Sequence, residues 1–434
     1  MKKAMQPSED NFRILVCGGA GCLASGALDV KDAIEKAAAQ EGMSDKIQVI
    51  ETGCMGPCAK GPVLRVIPEN IFYQDLTPEK AKRIVAEHLK KGNIPEDIVY
   101  YDTHKETAVP RMEDIDFFKE QNKIALRNCG QINPTEINEY IAADGYAALA
   151  KAVTAMDQDQ VINEVKESGL RGRGGAGFPT WLKWKFTKKA PEGTKYVLCN
   201  ADEGDPGAFM DRSVLEGDPH SLIEGMAIAA YTVGAQKGYV YVRAEYPLAV
   251  QRLSAAIIQA KETGLLGDSI LGSDFSFDLE IRMGSGAFVC GEETALIASI
   301  EGKRGEPRPR PPFPAEKGLW DKPTLLNNVE TYSNIAAIIN NGAEWYQAYG
   351  TEHSGGTKVF ALAGNVVNTG LVEVGIGTSL GELIYDIGGG VTGNKAFKAA
   401  QIGGPSGGCV PKQHLNVALD YESLKELGAI MGSG

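Results

Sequence analysis

The sequence predicts a multidomain α/β protein. Stretches with strand periodicity alternate with helical stretches along most of the 434 residues, a pattern that favours sheets with parallel strands. Shifts in composition and pattern divide the chain into four parts, at 1–95, 96–130, 131–350 and 351–434. Two features interrupt the alternation: four cysteines near the start and several glycine-rich loops in the middle.

Charge and composition limit the possible functions. The formal net charge is −12, which argues against nucleic acid or an anionic membrane surface as the main partner. The first residues are polar and lack the apolar segment of a signal peptide. No apolar run reaches the roughly 18 residues of a membrane span. We therefore expect a cytoplasmic protein without membrane insertion, in which disulfides are rare.

The first part, 1–95, predicts a thioredoxin-like order of elements. A strand at 14–16 runs into Cys17, and a helix follows whose apolar residues lie on one face from Val30 to Ala38. The remaining elements are a strand at 47–49, two short strands near 63–67 and 71–73, and a helix that begins at Pro78. Strand, helix, strand, hairpin and helix is the succession of a thioredoxin-like domain.

Four cysteines in this part are spaced as metal ligands. Cys17 and Cys22 form a C-x4-C pair, and Cys54 and Cys58 form a C-x3-C pair. Both pairs follow predicted strands, so the thiols can converge at one end of the sheet and hold a [2Fe-2S] cluster. Zinc is the nearest alternative, although structural zinc sites favour other spacings. Unrelated core or loop cysteines are the third possibility.

The part at 131–350 predicts a larger, Rossmann-like α/β domain, reached through a linker at 96–130. It opens with helices up to Ser168. The predicted strands lie at 196–199, 238–243 and 277–283, with helices from about Ser221, over 248–260 and from about Thr294. This alternation favours a largely parallel sheet. Ligands of such sheets lie outside the carboxyl ends of the strands.

The loop at 169–178, GLRGRGGAGF, is a candidate phosphate site. It contains G-x-G-x-x-G, but the dinucleotide-binding fingerprint requires a preceding strand, and the residues before this loop are helical. Successive glycine N–H groups can instead form an anion nest. Three basic side chains would add positive charge: Arg171, Arg173 and Lys183. A glycine-rich turn without a ligand is the alternative.

Three further segments could contact a ligand. The acidic loop at 200–205, NADEGD, leaves a predicted strand, and its carboxylates could accept hydrogen bonds from ribose or ribityl hydroxyls; a solvated turn is the alternative. Glu292 and Glu293 lie at a helix start, which the helix dipole favours in any case. The stiff proline-rich segment at 308–314 could hold Phe313 as a stacking platform or be only a surface connection.

Together, these segments resemble the NADH-binding flavoprotein subunit of respiratory complex I and its soluble relatives. The resemblance covers about residues 155–405 and rests on GLRGRGGAGFPT, CNADEGDPG, GAFVCGEETA, PPFPAEKGLW and NNVET. The cysteine pattern, with CMGPC as its second half, resembles the thioredoxin-like [2Fe-2S] ferredoxins and the small flavoprotein-associated subunit of NADH dehydrogenases. The resemblance implies FMN, NAD(H) and a [2Fe-2S] cluster as cofactors.

The resemblance also implies roles for single residues. The FMN phosphate would lie against Gly172, Arg173, Gly174, Gly175 and Lys183. The flavin would be lined by Asn200, Asp202, Glu203, Gly291, Glu292, Asn327 and Asn328. The nicotinamide and adenine rings would be flanked by Phe178, Phe186, Phe288 and Phe313. Asp205 and Glu293 would meet NADH hydroxyls and the nicotinamide amide, and no side chain would act as general acid or base.

The last part, 351–434, predicts a β-rich module at 357–405 that resembles the β-grasp domain of this family. The family usually continues into a helical domain whose C-x2-C-x2-C run holds a [4Fe-4S] cluster, and this sequence ends at Gly434 without that run. We therefore expect a [4Fe-4S] cluster only in a longer natural chain. Cys199 and Cys290 lie in or beside strand patterns and are expected to be buried apolar residues.

The hypothesis from sequence is a diaphorase-type protein, in which NADH and FMN exchange a hydride and single electrons pass to iron–sulfur clusters. The N-terminal fusion resembles subunits of soluble hydrogenases and formate dehydrogenases of anaerobes, some of which couple NAD(H) and ferredoxin by electron bifurcation. The expected partners are other iron–sulfur and catalytic subunits, and ferredoxin. Two alternatives stay open: the NADH module of a respiratory NADH:quinone oxidoreductase, and a redox scaffold that binds only a cluster. Asp205 near the ribose would repel a 2′-phosphate, which favours NADH over NADPH.

Overall fold

The computed structural model describes residues 11–103 and 105–434. The N-terminal strands are β1 Phe12–Cys17, β2 Ile47–Thr52, β3 Leu64–Ile67 and β4 Ile71–Tyr73. The helices are α1 Ala20–Ala24, α2 Ala27–Gln40 and α3 Pro78–Arg83, which continues as wider turns over Ile84–Leu89. The sheet order is β2-β1-β3-β4, with β1 parallel to β2 and antiparallel to β3. The predicted thioredoxin-like succession is therefore confirmed.

Helix α2 shows why the sequence forms these elements. Gly26 precedes it with a left-handed φ of 92°, which glycine adopts without strain. Val30, Ile34 and Ala37 recur at helical spacing and are buried, so that one face of the helix packs on the core. At the start of α3, Thr77 Oγ1 accepts a hydrogen bond from the backbone N–H of Lys80 at 3.3 Å, a typical N-cap.

The stretch predicted as a linker is folded against the N-terminal sheet. It contains the hairpin β5 Tyr100–Asp102 and β6 Thr107–Val109 and the short helix α4 Asp116–Lys119. Ile115 and Phe117 are 1% exposed and belong to the same apolar core as β1. These residues therefore extend the N-terminal core towards the rest of the chain.

The large domain is built on a parallel sheet. Its strands are β7 Tyr196–Ala201, β8 Lys237–Arg243, β9 Asp278–Gly284 and β10 Thr324–Asn328, in the order β10-β7-β8-β9. All three pairings are parallel, which confirms the prediction from strand–helix alternation. The sequence predicted β7, β8 and β9 within about two residues but missed β10.

Helices surround this sheet. Those before β7 are α5 Ile137–Ala142, α6 Ala147–Ala155, α7 Gln158–Glu167 and α8 Thr180–Lys189. Those after it are α9 Met210–Gly217, α10 Pro219–Val233, α11 Pro247–Glu262, α12 Glu293–Ile300, α13 Pro314–Lys317, α14 Val329–Asn341 and α15 Ala343–Gln347. Helix α10 is mostly apolar and almost entirely buried, as expected of a helix packed on all sides.

The C-terminal module consists of two antiparallel strand pairs and two short helices. The strands are β11 Thr357–Leu362, β12 Gly370–Gly375, β13 Ala399–Ile402 and β14 Gly408–Pro411. The helices are α16 Leu380–Glu382, continued by wider turns over Leu383–Ile387, and α17 Tyr421–Glu426. The predicted β-rich character is confirmed, and its assignment as a β-grasp domain stays a prediction.

The N-terminal domain is wedged between the other two. Gly53 approaches Gly217 of α9 so closely that a Cβ on Gly53 would lie 2.5 Å from Gly217 Cα. Thr52 Oγ1 donates to the carbonyl of Ile132 at 2.7 Å. On the other side, the N–H of Leu371 in β12 donates to the carbonyl of Gly56 at 3.1 Å. The loop after β2 therefore lies at the junction of all three domains.

Within the described residues, no helix is both long enough and apolar enough to span a membrane.

Candidate cluster and flavin sites

The four cysteines converge at one end of the N-terminal sheet. Cys17 ends β1, Cys22 lies in α1, Cys54 follows β2, and Cys58 begins a short 3-10 turn. The thiol of Cys17 is within hydrogen-bonding reach of the thiols of Cys22 and Cys54, and Cys54 Sγ lies 4.0 Å from Cys58 Sγ. The structure therefore brings all four predicted ligands together, three of them buried.

The surroundings of these thiols fit a shared four-cysteine group. Hydrogen bonds among these thiols lower the pKa of Cys17 well below its usual value and raise the pKa of Cys22 and of Cys54. The thiols therefore interact with one another, and Cys17 is the one that these contacts favour as a thiolate. Glycines leave room at the sulfurs, since a Cβ on Gly19 would lie 3.2 Å from Cys54 Sγ. No three metal-binding side chains close around a single ion in the described part of the chain. Four thiolates can hold a [2Fe-2S] cluster, which divides them between two irons.

A second site lies at the carboxyl edge of the parallel sheet. Asn200 near the end of β7 pairs in register with Asn328 at the end of β10. Asn200 Nδ2 donates to the carbonyl of Gly291 at 2.8 Å, which ties the loop after β7 to the segment between β9 and α12. This edge is where open α/β sheets bind their ligands.

Arg173 in the glycine loop is fully buried. Its guanidinium donates to the carbonyl oxygens of Gly355 at 2.7 Å and of Thr357 and Arg171 at 2.9 Å. The guanidinium is therefore held by backbone groups of the protein, and its predicted contribution of positive charge to a phosphate site stays a prediction. The side chain fixes the glycine loop to the start of β11.

The glycines let the loop pass close to its neighbours. Gly177 has a φ of 60° and faces Tyr421, whose ring a Cβ would approach to 2.6 Å. A Cβ on Gly174 would lie 3.1 Å from Cβ of Asn328. The N–H of Gly172 donates to the carbonyl of Phe178 at 2.8 Å, and Gly175 pairs as an isolated bridge with Gly432. The loop therefore passes beside the end of β10 at Gly174, and the anion nest at this loop stays a prediction.

Three charged side chains meet beside this edge. Glu293 Oε1 accepts a hydrogen bond from Arg310 at 2.6 Å, and its Oε2 lies 3.4 Å from Lys183 Nζ. Lys183 Nζ also lies 3.3 Å from the carbonyl of Leu326 in β10. All three side chains keep some exposure, so a ligand can reach them. Two cations and one carboxylate suit a phosphate or a carboxamide.

Asp202 has an unpartnered polar atom inside the site. Its side chain is 9% exposed, and its Oδ2 has no hydrogen-bond partner. Burial raises the pKa of Asp202 to about 6, with Arg243 opposing the rise. A Cβ on Gly291 would lie 3.5 Å from the carbonyl oxygen of Asp202. A buried carboxylate oxygen normally has a donor, and the hydroxyls of a flavin side chain supply such donors, so this part of the site fits FMN.

Three predicted flavin contacts are used by the protein itself. Glu203 accepts two backbone N–H groups at the start of α9, each at 3.1 Å. Glu292 accepts two at the start of α12, each at 2.9 Å, and Asn328 Oδ1 accepts one at the start of α14 at 3.2 Å. Each side chain caps a helix. They fix the walls of the site, and their contacts to a flavin stay predictions.

The side chain of Asn327 is held by a residue of α8. With its amide oriented by its hydrogen bonds, its oxygen accepts from Trp184 Nε1 at 3.0 Å. Trp184 in α8 is 0% exposed. The contact fixes α8 and β10 relative to each other, so that Lys183 of α8 stays beside β10.

The four predicted stacking residues are exposed aromatics. Phe178, Phe186, Phe288 and Phe313 are 41%, 50%, 62% and 52% exposed. Phe288 lies against the backbone of Gly204, where an added Cβ would approach its ring to 2.6 Å. Rings that leave this much surface in water offer stacking area for planar groups. Their ligand roles stay predictions.

Several residues of the site were missed by sequence reasoning. Asp211 accepts from Asn328 Nδ2 at 2.5 Å and from the N–H of Glu330 at 3.1 Å. Arg243 donates to the carbonyl of Glu203 at 2.6 Å. Ser433 Oγ donates to the predicted residue Asp205 at 3.0 Å. Acidic Asp211 in the first turn of α9 is a local signal, whereas nothing local links Asp205 to a serine 228 positions away.

Comparisons with known proteins agree with this two-site arrangement. Residues 165–337 match the model of the Nuo51 FMN-binding domain, and residues 4–89 match that of the thioredoxin-like [2Fe-2S] ferredoxin. The NADP-reducing hydrogenase subunit HndC of Solidesulfovibrio fructosivorans is 61% identical over 316 residues, which are 73% of this chain and 64% of that protein.

NADH-quinone oxidoreductase subunits are also similar. One from Rhizobium meliloti (strain 1021) is 46% identical over 71% of this chain and 74% of its own length. Another, from Escherichia coli (strain K12), is 44% identical over 69% of this chain and 68% of its own length. Among solved structures, an NAD+-reducing [NiFe]-hydrogenase in the H2-reduced state has a TM-score of 0.62 and 30% identity, covering 99% of this chain and 68% of that chain.

Proposed function

Because the chain belongs to the same family as these NADH-quinone oxidoreductase subunits and joins their FMN-binding domain to a thioredoxin-like [2Fe-2S] ferredoxin domain, we propose that it is the NAD(H)-binding flavoprotein subunit of a multisubunit hydrogenase. The family makes it an oxidoreductase subunit. Its substrate and its partners are the proposed part, since the chain spans only 64% of HndC.

One observation favours a hydrogenase over a respiratory complex. The chain of the NAD+-reducing hydrogenase aligns with 99% of this chain, so it matches the ferredoxin domain and the flavin domain together. In sequence, HndC and the NADH-quinone oxidoreductase subunits cover similar shares of this chain, 73%, 71% and 69%, so that they differ in identity alone. The higher identity to HndC, 61% against 46%, points the same way. A respiratory NADH:quinone oxidoreductase module is the second candidate, supported by those same relatives.

Bound FMN would supply the chemistry that accepts a hydride and releases electrons one at a time. The residues of this chain would bind and orient FMN and the nucleotide. Lys183 and Arg310 lie where positive charge favours phosphate, and Glu293 between them is placed to accept from a nicotinamide amide. Asp202 offers its unpartnered oxygen to a flavin hydroxyl. Exposed Phe288 and Phe313 would stack on the rings of the nucleotide.

The cluster domain would receive or supply single electrons. Cys54 and Cys58 follow β2 in the loop that contacts both other domains, which places the proposed redox group at this junction. The proposal includes a cytoplasmic location, in keeping with the eight cysteines, all in the described part of the chain, that form no disulfide. Ferredoxin as a partner, formate dehydrogenase as the complex, and electron bifurcation are predictions from the sequence resemblance alone.

Anaerobic titration of the FMN-loaded protein with NADH tests the proposal. We expect the visible flavin absorbance to bleach at about one NADH per flavin, with about half an NADH more for each cluster that is also reduced, since a hydride carries two electrons and a [2Fe-2S] cluster takes one. Flavin that stays oxidised in excess NADH, while dithionite bleaches it, would contradict the proposal. A count of bound FMN separates the cluster-only scaffold, which predicts none.

The purified native complex separates the two candidate functions. A hydrogenase complex reduces NAD+ with hydrogen in the absence of quinone. A respiratory module requires quinone as the acceptor of electrons from NADH and shows no hydrogen-dependent reduction. Repeating the hydrogen assay with formate, and with and without ferredoxin, tests the finer predictions in the same preparation.

A further inference from the structure

A lysine from outside the ferredoxin domain reaches into the second cysteine loop. Lys123 Nζ donates to the carbonyl of Met55 at 3.2 Å, and Met55 lies between the ligands Cys54 and Cys58. Met55 is 0% exposed, so this carbonyl faces the protein interior. The same ammonium lies 5.4 Å from the ring centre of Phe118. The charge is therefore fixed beside the cluster loop by a hydrogen bond and an aromatic ring.

The backbone that carries Lys123 is rigidly held. Glu373 in β12 is 0% exposed, and its carboxylate accepts the three consecutive N–H groups of Ile124, Ala125 and Leu126 at 3.0, 2.8 and 2.9 Å. The N–H of Asn122 donates to the carbonyl of Glu373 at 2.9 Å. Such a clamp keeps the lysine from swinging away from the cysteine loop, so its charge acts at a constant distance.

The other charges at the junction are largely compensated. Arg252 pairs with Glu51, and Glu216 pairs with Arg212 at 2.8 Å. Lys123, by contrast, forms no ion pair with a carboxylate within 4.0 Å among the residues that the structure describes. Arg65 is the other nearby cation and bonds to the neutral side chains of Gln131 at 2.6 Å and Asn70.

The surroundings of Lys123 act on its pKa in both directions. Burial lowers the pKa of Lys123, and the thiols of Cys129 and Cys54 and the carboxylate of Glu373 oppose that change. Cluster thiolates would add negative charge on the side of Cys54. A partly buried cation interacts with such charge more strongly than an exposed one, because less water screens it.

From this geometry we propose that Lys123 is a positioning residue that raises the reduction potential of the [2Fe-2S] cluster. One-electron reduction adds one negative charge to the cluster, and a fixed cation stabilises the reduced form. Net charge, hydrogen bonding and solvent exposure are the levers that set such potentials. The proposal concerns the cluster alone and does not depend on nucleotide or flavin binding.

A mediated redox titration of the cluster, followed by its EPR signal in the full chain, tests the proposal. Lys123→Gln keeps an N–H donor for Met55 but removes the charge, and Lys123→Arg keeps the charge. We expect a lower midpoint potential in Lys123→Gln and a near-native one in Lys123→Arg. Lys36→Gln, on the exposed face of α2, is the matched control and should leave the midpoint unchanged.

Two results would overturn the proposal. One is an unchanged midpoint in Lys123→Gln. The other is an equal shift in Lys123→Arg, which would assign the effect to packing rather than charge. If Lys123→Gln alone fails to retain the cluster, the charge is needed for retention and the electrostatic role is supported; if both variants fail alike, the role is refuted. Reduction by dithionite and mediators keeps these outcomes separate from any failure of NADH to reduce flavin.

Discussion

The cysteine loops and the carboxyl edge of the large sheet are built differently. The cysteine site uses two short loops and α1 of a single domain. The second site draws on the ends of β7 and β10, the start of α12, helix α8 and the proline-rich segment. In the first, all four predicted residues meet at their sulfur atoms. In the second, the predicted residues divide into two groups.

The division follows what each side chain already contacts. Arg173, Glu203, Glu292 and Asn328 use their polar atoms to bind backbone groups of the protein. Asp202 keeps an unpartnered oxygen, and the four phenylalanines keep exposed rings. A sequence motif around a large ligand therefore combines residues that build the walls with residues that face the ligand. A metal-cluster motif contains few residues that only build the walls of the site.

Of the substitutions that test this division, Arg173→Met should have the largest effect. It strands two buried carbonyl oxygens and one partly buried one, and a buried carbonyl left unsatisfied costs about 1–3 kcal/mol. We expect a loss of unfolding free energy on the order of 3 kcal/mol, measured by denaturant titration of the apoprotein. Lys166→Met, at an exposed position on α7, is the control. Native stability in Arg173→Met with weaker FMN binding would instead place Arg173 among the ligand-facing residues.

Phe288→Ala should weaken nucleotide binding with little cost in stability. The ring is 62% exposed, so its removal leaves no cavity in the core. Stacking of one base on an aromatic ring is worth roughly 1–3 kcal/mol, so KM for NADH should rise about tenfold or more. Tyr385→Ala removes another aromatic that is 43% exposed, in the C-terminal module, and should leave KM unchanged. Equal effects in both variants would refute the stacking role.

Asp202→Asn should change the pH dependence of stability. In the folded protein the pKa of Asp202 is raised to about 6, so the buried carboxylate costs stability once it ionises. That cost is absent below the unfolded pKa near 4 and grows as pH rises through 6. We expect apo Asp202→Asn to gain on the order of 1 kcal/mol over wild type at pH 8, after allowance for solvent screening, and nothing at pH 4.

The ionised carboxylate of Asp202 should have the opposite effect on FMN binding: it lowers the stability of the apoprotein but should favour bound FMN. If the ionised carboxylate accepts a flavin hydroxyl, wild type should bind FMN more tightly above pH 6 than below it. Asp202→Asn should lack that part of the pH dependence. Parallel binding curves of the two proteins from pH 5 to pH 8 would show that Asp202 faces the protein rather than the flavin.

Asp205→Ala should have the smallest effect. Its carboxylate bonds to Ser433 at 3.0 Å and is partly exposed, so any repulsion of a 2′-phosphate is worth only about 1 kcal/mol. We expect the ratio of kcat/KM for NADH to that for NADPH to fall about fivefold. An unchanged ratio would remove Asp205 as the source of nucleotide preference.

Sequence reasoning predicted most of the architecture because the relevant signals are local. Alternating strands and helices predicted the thioredoxin-like order and three strands of the large sheet. The cysteine spacing predicted the first site for the same reason. Strand β10 was missed because it has only five residues, TLLNN, and α14 begins directly after it.

The contacts that divide the second site were not predictable in this way. Arg173 resembles a surface cation in a glycine loop, and only the packing of residues 355–357 against that loop shows it to be buried. The clamp of Glu373 on residues 124–126 and the bond from Ser433 to Asp205 join segments more than 200 positions apart. Such long-range pairings leave no periodic trace in the sequence.

Electron exchange between nucleotide and cluster tests the proposed coupling of the two sites most directly. In one arm, flavin-loaded and flavin-free protein are mixed anaerobically with NADH and frozen for EPR. In the other arm, both proteins are first reduced with dithionite and desalted, then mixed with NAD+ and frozen. We predict that the signal of the reduced cluster appears or disappears only in the flavin-loaded protein, in whichever direction the potentials favour. A cluster that exchanges electrons equally without flavin, or in neither direction with it, would contradict the proposal.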